Sequence, residues 1–260
     1  MVSHAVDLIR RRNSIFMSRD VWGSAIENAT LALYSAVLHP GCVAVDVGAN
    51  IGDHTAALAT VCKDTGRVFA FEPVPDLLAK AKSRNGVFSN VEFIDKAVTK
   101  SGGNHVDFYY FPVEHGLSGL RDRAGVSGRT MITAETTTLD AEIGDARVDL
   151  IKLDIEGAEF DALQGATKIL SQSSPLIVFE HGYQTSADAF NYTAVQFFEF
   201  FESYNYLLFY ISGAPCMAEL WDDVSQPWQI VAIHRYSPYF ADALSSMQNN
   251  YMHSLRASVL

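Results

Sequence analysis

The sequence predicts an α/β fold, a Rossmann-like, doubly wound and mostly parallel sheet with helices on both faces. Five short runs are apolar on both faces, as the strands of a covered parallel sheet should be. These runs are Cys42–Val47, Arg67–Phe71, Val91–Ile94, Asp149–Leu153 and Leu176–Phe179. Segments with helical spacing lie between most of them, namely His54–Cys62, Asp76–Arg84 and Glu159–Leu170. Such alternation of strands and helices is typical of this architecture.

The length and composition suit one domain with a large buried core. The chain has 260 residues, of which 48% are hydrophobic and 19% charged, as in an ordinary globular protein. We expect an N-terminal helical extension over residues 1–40 and a Rossmann-like domain over residues 41–260. Ala25, Ala29 and Leu33 recur at helical spacing, and Pro40 ends that run. The apolar helix near Ala25–Val37 leaves a homodimer contact open.

Charge and sequence patterns exclude several classes of protein. The net charge of −11 argues against a nucleic-acid partner, because an acidic chain repels phosphate backbones. No apolar run reaches the length of a membrane span, and Asp7 and Arg10–Arg12 interrupt any signal-peptide pattern. The three cysteines contain no CxxC pair, which disfavours a structural zinc site. We therefore expect a soluble cytoplasmic protein without a membrane span.

Residues 101–138 depart from simple alternation. Val106–Phe111 and Thr130–Leu139 resemble strands, and the glycine-rich stretch 112–129 between them resembles a loop. A long loop at the carboxyl edge of a sheet is more often functional than structural, so we expect a lid here.

The chain beyond the fifth strand predicts an antiparallel closure of the sheet. A helix over Ala194–Tyr204 precedes two strand-like runs, Tyr206–Ser212 and Gln229–Arg235. Only a loop separates these two runs, so they should pair antiparallel. The tail over 238–258 is predicted to be helical.

The first strand ends in a glycine-containing turn that reads Asp46-Val-Gly48-Ala-Asn50-Ile-Gly52. Glycines let a backbone turn approach a ligand closely. The dinucleotide pattern G-x-G-x-x-G is not met, because Asn50 and Asp53 stand where its second and third glycines should be. An acidic turn suits a cationic ligand such as S-adenosylmethionine, with its sulfonium and ammonium groups, better than a pyrophosphate.

The next two strands end in further candidate binding residues. Glu72-Pro73 follows the second strand, and a carboxylate at that position can accept hydrogen bonds from both hydroxyls of a ribose. Glu72 supports an adenosine cofactor without choosing between NAD and S-adenosylmethionine. Asp95 and Ala97 follow the third strand, where we expect the edge of an adenine ring.

The fourth and fifth strands carry the densest cluster of acids. Asp154, Glu156 and Glu159 follow the fourth strand, and Glu180-His181 ends the fifth. The carboxyl ends of parallel strands meet at one edge of a sheet, where ligands bind. Crowded carboxylates are unfavourable unless a cation or hydrogen bonds compensate them. We therefore predict that this edge is the catalytic one.

Six strings resemble, in order and spacing, the FkbM-type methyltransferase family, and they cover about residues 42–182. They read VDVGANIGDHT, FAFEPVPDLL, NVEFIDKAV, TTTLD, VDLIKLDIEGAEFDALQGA and PLIVFEHG. The resemblance implies a class I S-adenosylmethionine-dependent methyltransferase, with a seven-stranded sheet whose last strand is antiparallel. It also implies O-methylation of sugars, glycans or polyketide-type hydroxyls.

The resemblance assigns roles to individual residues. It places Asp46, Gly48, Asn50 and Gly52 in the loop at the methionine side of the cofactor, and Glu72 at the ribose. It places Asp154 and Glu156 opposite the methyl group, and Ser118 in a family element that here reads Ser-Gly-Leu. The predicted cofactor-binding residues are Asp46, Gly48, Asn50, Gly52, Thr55, Glu72, Pro73, Asp95, Ala97 and Asp154.

An alcohol needs a base to take its proton as it attacks a methyl group at neutral pH. His181, with an ordinary pKa near 6.5, or Asp154, if burial raises its pKa, could serve, and we predict Asp154, Glu156 and His181 as the catalytic residues. A divalent cation held by Asp154, Glu156 and Glu180 is a second, less favoured route, so no metal ligand is assigned.

The leading hypothesis is thus an S-adenosylmethionine-dependent O-methyltransferase acting on a hydroxyl of a sugar or glycan. The first alternative is the same chemistry on a polyketide or other small natural product. A nicotinamide-dependent oxidoreductase is disfavoured by Asn50 and Asp53. From another class, a catalytically inactive binding module remains open.

Overall fold

The computed structural model describes residues 19–122, 127–223 and 226–257. Ten strands are found in these ranges, and seven of them form the main sheet. The seven are β1 (Val43–Val47), β2 (Arg67–Phe71), β3 (Val91–Ile94), β7 (Leu150–Leu153), β8 (Leu176–Glu180), β9 (Tyr206–Tyr210) and β10 (Gln229–His234). The smaller sheet contains β4 (Ala97–Val98), β5 (His105–Tyr110) and β6 (Thr130–Thr137).

Most helices of the described ranges lie where the helical spacing of the sequence predicts them. They are α1 (Arg19–Val37), α2 (Asp53–Cys62), α3 (Pro75–Asn85), α4 (Leu139–Ile143), α5 (Glu159–Gln164), α6 (Thr167–Ser173), α7 (Gln184–Phe190), α8 (Ala194–Ser203) and α9 (Phe240–Ala257). The prediction of one continuous helix over Glu159–Leu170 is wrong. The helix is interrupted at Gly165, where a side-chain β carbon would lie 2.5 Å from the carbonyl oxygen of Thr99.

The main sheet has the strand order β3-β2-β1-β7-β8-β10-β9. Neighbours from β3 to β8 run parallel, whereas β10 pairs antiparallel with both β8 and β9. The predicted α/β class, the seven strands and the antiparallel last strand are therefore confirmed. The register sets Asp46 on β1 opposite Lys152 on β7, which places two opposite charges side by side inside the sheet.

Helices cover both faces of this sheet. On one face, α1 packs against α9 and α2, and its residues Ala25, Ala29 and Leu33 are fully buried. Those three side chains pack within the core of the chain itself. A homodimer contact near Ala25–Val37 would therefore have to use other residues of this helix. The other face is covered by α5, α6 and α8, whose apolar side chains, among them Phe160, Ile169 and Phe197, join the larger core cluster.

Some sequence predictions fall on residues outside the described ranges. The basic run Arg10–Arg12, the helical prediction for residues 1–18 and residue 258 of the predicted C-terminal helix all lie there. The three cysteines lie within the described ranges and are buried and unpaired. No described helix combines the length and the apolar character needed to cross a bilayer.

The smaller sheet carries the predicted lid region to the edge where β1 and β2 end. β5 and β6 form an antiparallel pair, and β6 also pairs with β4 directly after β3. A short 3-10 turn at His115–Leu117 follows β5, and Gly119 pairs back onto Tyr109. This arrangement holds His115 and Ser118 over the carboxyl end of the main sheet.

Candidate functional site

The turn after β1 is held tightly between two strands. The amides of Gly48 and Ala49 both donate to the carbonyl oxygen of Phe71, at 3.0 and 2.9 Å. Gly48 has a φ of 79°, and a β carbon there would lie 2.0 Å from the carbonyl oxygen of Asp154. Glycine is therefore required at this position both by the backbone conformation and by the approach of β7.

We expect Gly48→Ala to lower the free energy of unfolding by about 2–4 kcal/mol, since the left-handed conformation and the overpacking each contribute. Gly103→Ala is the matched control, because Gly103 has a φ of 81° but no other atom lies within 4 Å of the point where its β carbon would stand. Urea unfolding followed by circular dichroism measures both. Equal losses in the two variants would show that backbone conformation alone, and not contact with Asp154, requires glycine at position 48.

Asp46 lies beneath this turn and faces the protein interior. It is fully buried, its Oδ2 accepts a hydrogen bond from the Thr55 hydroxyl at 2.6 Å, and the Nζ of Lys152 lies 3.4 Å from its Oδ1. Gly52 accepts a hydrogen bond from the side chain of Asn85. The sequence predicted that Asp46, Gly52 and Thr55 bind a cofactor, and in the structure their contacts hold the turn in place.

Glu72 is bound by the backbone on both of its oxygens. Its Oε2 accepts from the Asn50 amide and its Oε1 from the Val74 amide, each at 2.9 Å. Burial raises the pKa of Glu72 to about 7, although these two donors favour the charged form. The carboxylate thus has a fixed orientation and keeps further lone pairs for a ligand.

The first cavity lies in front of Glu72. The turn contributes Gly48 and Asn50, and Pro73 and Ala97 follow from the next strands; the lid region contributes His115 and Ser118. Apolar side chains from Phe71, Leu77, Val98 and Phe108 complete its walls. Asp95 is exposed and is not among the described residues that line this cavity, whereas its neighbour Lys96 is.

The acids after β7 stand at the junction between cavities. Asp154 lines the first cavity and a third one beside α1, and its Oδ2 lies 3.6 Å from the Nζ of Lys152. Glu156 lines the first cavity and a second, more open one. Glu156 has a φ of 58°, an uncommon conformation for a residue other than glycine, and such strain often marks a functional site.

Glu159 and Glu180 lie behind this junction. Glu159 is fully buried, and its Oε1 accepts from the amides of Ile155 and Gly157 at 2.9 and 3.1 Å. Burial raises the pKa of Glu159 to about 7. Burial also raises the pKa of Glu180 well above its ordinary value, and the nearby carboxylates of Asp154 and Glu156 add to this effect. These acids therefore form one electrostatically coupled group.

The structure argues against His181 as a base. Its Nδ1 accepts a hydrogen bond from the Tyr183 amide at 3.1 Å, and its Nε2 lies 2.9 Å from the Tyr192 hydroxyl oxygen. Burial lowers the pKa of His181 to about 3, and its ring packs within 4.5 Å of the ring of Phe197, centroid to centroid. Both ring nitrogens are engaged inside the protein, so the predicted role of proton acceptor does not fit this geometry.

The second cavity is open and mixed in character. Its lining includes Glu180, Thr185, Ser186, Arg121 and the half-buried Trp228. The carbonyl oxygen of Trp228 accepts a hydrogen bond from the His181 amide at 2.8 Å, and this bond fixes the backbone of Trp228 next to β8. The sequence analysis did not single out Trp228. Its position one residue before β10 could have indicated it, because β10 runs antiparallel and therefore begins at the ligand edge.

The described ranges contain no group of three or more His, Cys, Asp or Glu side chains arranged to hold a metal ion.

Comparison with known proteins relates this architecture to methyltransferases. The chain is 29% identical over 140 residues to the hexuronic acid methyltransferase AglP of Haloferax volcanii, covering 52% of this chain and 54% of that protein. It is 26% identical over 157 residues to the 2-O-methyltransferase NoeI of Sinorhizobium fredii, covering 54% of this chain and 64% of that protein. The chain thus spans between half and two thirds of the length of these curated relatives.

The fold is shared more widely than the sequence. A crystal structure from Clostridium thermocellum, assigned as a putative rRNA methylase, superposes with a TM-score of 0.51 at 14% identity, over 80% of this chain and 94% of that one. This likeness establishes the class I methyltransferase fold only. The family model of the methyltransferase FkbM domain matches residues 46–208, which contain the glycine turn, Glu72 and the acids after β7. The chain belongs to the FkbM methyltransferase family.

Proposed function

We propose that this protein is an S-adenosylmethionine-dependent O-methyltransferase whose acceptor is a sugar hydroxyl. The observation that carries the proposal is the junction at Glu156, which lines both the first and the second cavity. A methyl donor in one cavity and an alcohol in the other would meet beside this carboxylate. The names of the two curated relatives, a hexuronic acid methyltransferase and a 2-O-methyltransferase, support a sugar acceptor.

The residues around the first cavity fit the methyl donor. Gly48 lines this cavity, and Glu72 presents a fixed carboxylate suited to a ribose diol. Phe71, Leu77 and Phe108 offer apolar walls for an adenine ring. When bound, S-adenosylmethionine supplies a methyl carbon activated by its sulfonium.

The chain's own residues then have to align the acceptor and remove its proton. In-line alignment of two reactants in a bound state supplies about 7–11 kcal/mol in favourable cases. Glu156 would accept the hydroxyl proton of the acceptor, while the donor held in front of Glu72 would supply the methyl carbon and leave as the neutral thioether. We assign the base to Glu156 because Asp154 already faces the ammonium group of Lys152 at 3.6 Å.

Cofactor binding is tested by calorimetric titration with S-adenosylhomocysteine. In Glu72→Gln the carboxamide can no longer accept hydrogen bonds from both the Asn50 and Val74 amides, so we expect affinity to fall roughly tenfold to a hundredfold. In the wild type, affinity should rise from about pH 6 to about pH 8, because hydrogen bonds from a ribose favour the ionised form of Glu72. No binding by a folded wild-type protein would overturn the proposed cofactor.

The acceptor class is tested by transfer of a labelled methyl group to a panel of alcohols. The panel contains methyl glycosides of hexoses and, as the contrasting class, phenolic and polyketide-type alcohols. We expect labelled product with at least one glycoside. Product with the second class alone would assign the acceptor to small natural products instead.

A further inference from the structure

The interior of the second cavity is lined by several carboxyl groups. Glu156, Glu159 and Glu180 line it, and two further charged residues, Arg121 and Asp122, lie at its exposed rim. Asp122 pairs with Arg129 at 2.9 Å, and the guanidinium of Arg121 lies 5.0 Å from the centre of the Phe190 ring. The rim charges are thus engaged at the entrance, and the carboxylates set the potential deeper inside.

One of these carboxylates lacks part of its hydrogen bonding. Glu159 is fully buried, and its Oε2 has no hydrogen-bond partner among the described residues. The nearby ammonium of Lys152 lies between Asp46 and Asp154, so its charge is already shared by two other carboxylates. A buried carboxylate oxygen without a donor is unfavourable and points to a ligand that supplies one.

The carboxyl groups of this cavity disfavour one another's ionised forms. The pKa values of Glu159 and Glu180 are both raised, first by burial and then by the neighbouring carboxylates. A positive charge placed among them would favour their ionised forms. Trp228 lines the second and third cavities together with Glu180, and aromatic faces attract ammonium groups.

We propose that the acceptor is an amino sugar, whose free ammonium group binds in the second cavity between Glu180 and the indole of Trp228. This inference rests on the proposed function and names the chemical class of its substrate. An ammonium can donate three hydrogen bonds, which matches a pocket rich in carboxylate acceptors. A uronate would place a further carboxylate beside Glu156 and Glu180, so this pocket differs in preference from that of a hexuronic acid methyltransferase.

The experiment is a calorimetric titration of the protein saturated with S-adenosylhomocysteine, at neutral pH, with four matched methyl glycosides. The four are those of glucosamine, N-acetylglucosamine, glucose and glucuronate. We expect the glucosaminide to bind at least roughly tenfold more tightly than the acetylated and neutral glycosides, because a charge-assisted hydrogen bond is formed by the free amine alone. The glucuronide should bind most weakly.

Two variants test whether the preference arises in the cavity. Glu180→Gln should reduce the ratio of glucosaminide to glucoside affinity severalfold and leave the glucoside affinity nearly unchanged. Asp188→Asn is the matched control, because Asp188 is an exposed acid on α7 that does not line the second cavity. That variant removes one negative charge from the same region and should keep the wild-type ratio.

The outcomes separate the inference from the proposed function. Equal binding of the glucosaminide and its acetylated form, or tighter binding of the glucuronide, would overturn the amino-sugar inference and leave sugar O-methylation standing. An unchanged affinity ratio in Glu180→Gln would also overturn it. If no glycoside binds to a protein that does bind S-adenosylhomocysteine, the sugar acceptor itself is rejected.

Discussion

Replacing Lys152 by methionine should lower the free energy of unfolding by about 3–5 kcal/mol. Lys152 is 4% exposed, and its Nζ lies 3.4 Å from Asp46 and 3.6 Å from Asp154. Burial opposes its charge, but the two carboxylates outweigh burial and raise the pKa of Lys152 above its ordinary value. Methionine keeps the length of the side chain and leaves Asp46 as an uncompensated charge inside the sheet.

Urea unfolding at neutral pH measures the effect. The control is Lys100→Met, since Lys100 is paired with Asp161 but its side chain is 57% exposed, and its loss should cost less than about 1 kcal/mol. The double variant Asp46→Asn, Lys152→Met removes both charges and should be more stable than Lys152→Met alone. A Lys152→Met protein as stable as the Lys100 control would contradict the proposed charge balance.

Glu156→Gln should reduce kcat by about 10²–10⁴, the usual contribution of a positioned general base. The affinity for S-adenosylhomocysteine should stay within about threefold of the wild type, because the carboxamide has nearly the same shape and Glu72 is untouched. Labelled methyl transfer to the most active glycoside gives kcat, and calorimetry gives the affinity.

Two comparisons make this test specific. Glu199→Gln alters an exposed acid on α8 and should leave both quantities unchanged. Asp154→Asn should alter cofactor affinity as well as turnover, since Asp154 lines the first and third cavities and faces Lys152. A larger fall in kcat for Asp154→Asn than for Glu156→Gln, with affinity retained in both, would move the base to Asp154.

The sequence predicted the main sheet because each strand has a local signal. Runs such as Arg67–Phe71 and Val91–Ile94 are short, apolar and bounded by polar residues, and the structure places strands at the same bounds. The ends of the helices were harder to predict from the sequence. The close approach of the Thr99 carbonyl to Gly165, where the helix is interrupted, exists only in the folded protein.

The site was predictable in outline, since Gly48, Glu72 and the acids after β7 all reach the same edge. What each residue contacts was not. Asp46 was interpreted as a ligand for a cation from outside, but its partner is Lys152 on the adjacent strand. Lys152 stands within an otherwise apolar strand, which indicates a buried ion pair. Its partner could be identified only from the register between β1 and β7. His181 was interpreted from its chemistry, whereas its burial among aromatic rings depends on α8.

The reversed direction of β10 offers a way to change which acceptor the protein prefers. Because β10 runs against its neighbours, the residues that precede it, including Trp228, arrive at the edge where the parallel strands end. The glycine turn and Glu72 reach the same edge from the first half of the chain. Trp228, which leads into β10, thus lines the second cavity but not the first. A chimera that exchanges only the residues leading into β10 should acquire a new acceptor preference while inheriting its cofactor site intact.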